Sequence, residues 1–120
     1  MTVTFEAKRK GLYLTIPSCP SAGTVIDVLG EILKGTIPRG YQAIRKEEQF
    51  DLTGSLRAML ISALESASGS IKVYCIENRG SALETIQSDR LKRNGNEWVF
   101  LNADALDCNE QALCIVGIQK

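Results

Sequence analysis

The sequence predicts an α+β (mixed α/β) fold: one domain over residues 1–120, with a mixed β-sheet of about five to six strands and about two to three helices. Three observations predict it. Apolar residues alternate at both ends of the chain, two central stretches carry apolar residues at helical spacing, and Gly or Pro punctuates the joins. The expected order is β-β-α-(β)-α-β-α-β-β.

The first pair of strands rests on parity. Val3 and Phe5 alternate with Thr2, Thr4 and Glu6, and Leu12, Leu14 and Ile16 alternate with Tyr13 and Thr15. Between them Lys8-Arg9-Lys10-Gly11 is a polar turn, so the segment reads as a β-hairpin. Pro17 and Pro20 end it, because proline donates no ladder hydrogen bond.

Val25, Val28, Leu29, Ile32 and Leu33 then share one face at helical period. Ser21 or Thr24 suits the cap, and Gly35 supplies a left-handed stop. Gly30, inside the helix, marks an expected close approach to a sheet. Tyr41, Ala43 and Ile44 suggest a short strand, followed by the charged run Arg45-Lys46-Glu47-Glu48. Leu52, Leu56, Met59, Leu60, Ala63, Leu64 and Ala67 form a second apolar stripe, with Asp51 or Thr53 as cap and Gly69 as stop. Leu60 falls in the middle of that stripe and is expected in the core.

Ile71, Val73 and Cys75 alternate with Tyr74 and Ile76, so both faces are apolar and the strand should be interior. Ser81 and Glu84 have capping-box spacing, which favours a helix over Ala82–Arg93. The rival reading makes Asn94-Gly95 a hairpin turn between two strands. Trp98–Leu101 reads as a strand, 102–111 as a polar loop, and Ala112–Ile118 as a last strand. The passage from Ile71 to Leu101 is expected to be a right-handed parallel crossover.

Composition bounds the function. Hydrophobic residues make up 44% and charged residues 23% of 120, which describes a folded domain and not a disordered chain. No apolar run approaches the ~20 residues of a membrane helix, and no leader pattern is visible. A reducing cytoplasm with four free thiols, and no membrane partner, is the expectation. Residues 1–46 hold seven basic and three acidic residues, a balance of +4; residues 47–120 hold seven basic and eleven acidic, a balance of −4.

There is no histidine. Ser-His-Asp and Cys-His nucleophilic sites, the usual zinc sets and the commonest general base are thereby removed. Cys75 and Cys114 sit in apolar strand patterns and read as core residues; Cys108 lies in the polar loop. Cys19, between two prolines and before a helix start, is the candidate reactive thiol. Asp104, Asp107, Asn109 and Glu110 gather in one loop, but without EF-hand spacing. Glu47, Glu48 and Asp51 read as a helix-entry charge run. No catalytic residue, metal ligand or cofactor-binding motif results.

Three groups of cations remain: Lys8, Arg9 and Lys10; Arg39, Arg45 and Lys46; and Arg90, Lys92 and Arg93. The first and third are candidate contacts to an anionic ligand if they converge. Zero net charge and 6% aromatic residues argue against nucleic acid as the main partner. The leading expectation is a non-catalytic protein-interaction module, an adaptor, inhibitor or regulatory protein. The alternative is a nucleic-acid or phosphate-ligand binder using the basic clusters, and a histidine-free enzyme is a third. Ala112–Ile118 is apolar on both parities. As a sheet margin it would support a homodimer; as a central strand it would be covered by its own chain.

Overall fold

The computed structural model describes residues 2–4, 10–15, 22–52, 54–67, 69–86 and 97–119. Among them the chain is mostly β-sheet with one helix, which overturns the α+β expectation. The strands are β1 (Thr2–Thr4), β2 (Lys10–Thr15), β3 (Gln42–Ile44), β4 (Gln49–Asp51), β5 (Leu56–Ser66), β6 (Gly69–Asn78), β7 (Glu84–Thr85), β8 (Glu97–Ala103), β9 (Ala105–Leu106) and β10 (Gln111–Gln119); the helix α1 spans Ala22–Leu33.

The main sheet runs β1-β2-β8-β10-β6-β5-β3, and β4 also pairs with β5. Every described pairing in it is antiparallel. The expected hairpin is present, with Thr2 opposite Thr15. The expected parallel crossover is not. β6 and β8 do run the same way, but β10 lies between them and pairs antiparallel with both. β10 is therefore an interior strand. Its two apolar parities follow from two covered faces, and the edge-strand ground for a homodimer is gone.

Each face carries its own apolar cluster. On the first, Tyr74 and Ile76 of β6, Val99 and Leu101 of β8, and Cys114 and Val116 of β10 pack with Leu56, Ala58, Ile86 and Leu106. On the second, Ile71, Val73, Trp98, Phe100 and Ile115 meet Val25 and Leu29 of α1. The helix thus covers the second face, as its apolar stripe requires, although Leu33 is left exposed. It ends in a Schellman motif: Thr36 N–H donates to Glu31 O at 3.0 Å and Gly35 N–H to Ile32 O at 3.0 Å. Gly35 has φ +84°, the left-handed conformation expected of it. Gly30 makes no close sheet contact, since the space beside its Cα is open.

The stripe Leu52–Ala67, expected as a second helix, is strand β5. The cause is a bulge. Leu60 faces Tyr74 and Ser62 faces Val73, so Ile61 is the extra residue. Before it, Leu56 and Ala58 point to the first cluster; after it, Leu64 points to the second. The inserted residue shifts strand parity by one, and apolar residues at 56, 60, 63 and 64 then imitate helical spacing.

The helix expected over Ala82–Arg93 is also corrected. Glu84 and Thr85 form β7, paired with Leu106 and Ala105 of β9; residues 87–96 lie outside the described residues. The small β7–β9 sheet takes part of the segment expected as a polar loop. Buried Leu106 and Ile86 join the first cluster.

Candidate interaction surface

The described side chains offer little reactive chemistry. Among them no three His, Cys, Asp or Glu residues are grouped to hold a metal. Asp107 and Glu110 serve a tight turn instead: Asp107 N–H donates to Glu110 Oε1 at 2.7 Å, and Cys108 N–H to Asp107 Oδ1 at 2.9 Å. Cys114 is fully buried, and desolvation pushes its thiol up to about 12. Cys75 is only half-buried, contrary to its expected place in the core. Burial, then the nearby Glu77 charge, raises its pKa as well. Both shifts disfavour the thiolate, the nucleophilic form.

Of the residues singled out in the sequence, Lys10 opens β2, with its Cα opposite Ala103 of β8. Lys8, Arg9, Cys19, Arg90, Lys92 and Arg93 lie outside the described residues.

What stands out instead is the margin along β5. Its outer side is covered in two pieces. β3 pairs with Ala63–Glu65 and β4 with Arg57–Met59. The bulged residue Ile61 falls between them. The connection from β3 to β4 is tied to the sheet by Glu48, which accepts from Tyr74 Oη at 2.5 Å and from Lys72 Nζ at 3.1 Å. Phe50 of β4 stacks edge-on to Tyr74, with centroids 5.4 Å apart and planes at 81°. The margin is therefore held in place by a buried phenol, an ion pair and an aromatic contact.

Along this margin large apolar groups face solvent. Ile61 is 59% exposed and Met59 43%. Both line an open cavity of about 410 Å³ with Glu47, Glu48, Gln49 and Leu60. A second depression, about 220 Å³, lies between the end of α1 and β5; Ile37, 54% exposed, lines it with Ser62 and Leu64. Scattered exposed apolar residues need no explanation, but several on one margin around open cavities fit a binding surface. The sequence hid this surface because Met59 and Ile61 lay in a run read as one amphipathic helix. The signal was the run's broken parity: Leu52, Leu56, Ala58 and Leu60 keep one parity, and from Met59 to Leu64 apolar residues fall on both.

Fold and surface together define an antiparallel β domain with exposed apolar residues and open cavities along one margin. The chain belongs to the TraK C-terminal domain family, whose model matches residues 15–116. That family is related to conjugative transfer. No curated relative matches the chain.

Proposed function

We propose that this domain is a non-catalytic protein-binding module of a conjugative transfer apparatus, and that it docks a protein partner on the β5 margin. The observation that carries this reading is the exposure of Ile61 and Met59 beside a cavity of about 410 Å³, on a margin fixed by Glu48, Tyr74 and Lys72. Family membership supports a binding role in conjugation. A histidine-free chain with thiols of raised pKa supports the non-catalytic part.

The test is Ile61→Lys in the native host. Ile61 is a solvent-facing bulge residue, so the change leaves both clusters intact. The expected result is an unchanged melting temperature with about a tenfold or greater fall in transfer frequency, and loss of a partner that cross-links to the unmodified protein. Unchanged transfer and unchanged cross-linking would overturn the reading.

A further inference from the structure

The cations Arg39, Arg45 and Lys46 bracket β3, the last strand on its side of the main sheet. Arg39 is at the tip of a turn closed by Tyr41 N–H donating to Pro38 O at 3.1 Å. Gly40, with φ +87°, fills the third position of that turn, as a type II turn requires. Arg45 and Lys46 follow the strand directly. All three are exposed, and among the described residues none of them forms an ion pair. Arg57, Lys72 and Arg79 do, with Asp51, Glu48 and Glu77. From residue 34 to residue 46 the chain holds no acidic residue at all.

The strand between these cations is open. Gln42, Ala43 and Ile44 are all exposed. Their inner side pairs with β5, and no described strand pairs with their outer side. Ile37 and Ile44 add apolar surface before and within this stretch. An open edge takes another backbone by main-chain hydrogen bonds, and flanking cations select its charge. Phosphates would use the cations but neither the edge nor the isoleucines. Stacking aromatics are not part of the strip, since Tyr41 is half-buried.

We infer that the outer edge of β3 docks an acidic, extended polypeptide segment. Its backbone pairs with Gln42–Ile44, and its carboxylates meet Arg39 at one end and Arg45 and Lys46 at the other. The inference rests on the protein-binding reading above and names the partner's chemistry.

The test uses the unmodified domain and a fluorescein-labelled peptide of about ten residues that alternates valine and aspartate, followed by anisotropy. Binding is expected to weaken about tenfold or more in the double variant Arg45→Glu, Lys46→Glu, and to fall as salt rises from ~50 to ~500 mM. N-methylation of alternate peptide nitrogens, which removes edge donors and keeps every charge, is expected to abolish it. Equal binding by the N-methylated peptide, by a valine–lysine peptide or by single-stranded DNA would overturn the inference. So would no binding at ~1 mM, which would leave the cations as guards against edge-to-edge aggregation. If Ile61→Lys loses the cross-linked partner and the double charge variant keeps it, the strip is wrong while the protein-binding reading stands. If both keep it, that reading fails too.

Discussion

The side-chain amide of Asn78 donates to the backbone carbonyl of Leu106 at 2.8 Å, joining the end of β6 to β9 in a place with no solvent access. Its second N–H donates to Ala82 O at 2.8 Å. Its Oδ1 accepts from Ser55 Oγ at 2.7 Å and from Gly80 N–H at 2.9 Å. Every bonding site of the amide is therefore used, which is how a buried polar group escapes its desolvation penalty.

Replacing Asn78 by alanine strands two carbonyls, one N–H and one hydroxyl at once. The expected loss is about 3 kcal/mol, read from urea denaturation. Asn78→Asp should be as harmful at neutral pH, because a carboxylate cannot donate to Ala82 O or Leu106 O. A loss under ~1 kcal/mol in both variants would mean that water replaces the network easily.

Gly117 of β10 stands opposite Trp98 of β8, and a β-carbon there would fall 2.1–2.3 Å from Cε2, Cζ2 and Nε1 of the indole. Trp98 is buried in the second cluster, which also holds Ile71 and Val25, so a displaced ring would have to push into packed side chains. Gly117→Ala is expected to cost about 1–3 kcal/mol, and Gly117→Val more. Near-UV circular dichroism should show the displaced tryptophan. An unchanged spectrum with unchanged stability would contradict this packing.

The thiols differ in environment, and their order of reaction follows. Cys108 is exposed, Cys75 half-buried and Cys114 buried. With its pKa at about 12, Cys114 is a thiolate in roughly one molecule in ten thousand at pH 8. Alkylation of the native protein should label Cys108 first, Cys75 slowly and Cys114 only on unfolding. The raised pKa also has a stability sign. The unfolded thiol ionises near its ordinary 9.0 while the folded one stays protonated. The contribution of Cys114 is thus complete below pH 9 and is lost as pH rises from there toward 12. Cys114→Ala should flatten that alkaline decline; an identical decline in the variant would assign it to other groups.

The parts legible in the sequence were those with a single period. β10 keeps strict parity, with Leu113 and Ile115 on one face and Cys114 and Val116 on the other, and it reads correctly as a strand. α1 keeps helical period from Val25 to Ile32, and Gly35 stops it as expected. The order of strands was not legible. Nothing local says that β10 inserts between β6 and β8, because that pairing is settled by burial on both faces. Ser81 and Glu84 match a capping box, yet Glu84 pairs with Leu106 in a two-stranded sheet. Here long-range pairing outweighs a local signal worth about 1 kcal/mol. The candidate surface was missed for a related reason, since its key residues sit where β5 changes parity.

That change of parity is itself testable along β5. Leu56 is buried in the first cluster, Leu60 is half-buried against it, and Ile61 is the exposed bulge. A helix with the expected stripe would instead make Leu60 the most costly of the three. The strand predicts a graded series: Leu56→Ala at about 2–5 kcal/mol, Leu60→Ala at about half of that, and Ile61→Ala under ~0.5 kcal/mol. Deleting Ile61 tests the same assignment from the other side. With the extra residue gone, Ser62 follows Leu60 directly and still faces Val73, so Leu64 stays opposite Ile71 on the second face and the β3 pairing at Ala63–Glu65 keeps its register. The expected outcome is cooperative unfolding in urea for the deletion variant, within about 2 kcal/mol of the unmodified protein. Loss of cooperative unfolding would show that β5 needs a residue at this position to hold its two faces, and Ile61 would then not be a simple insertion in the ladder.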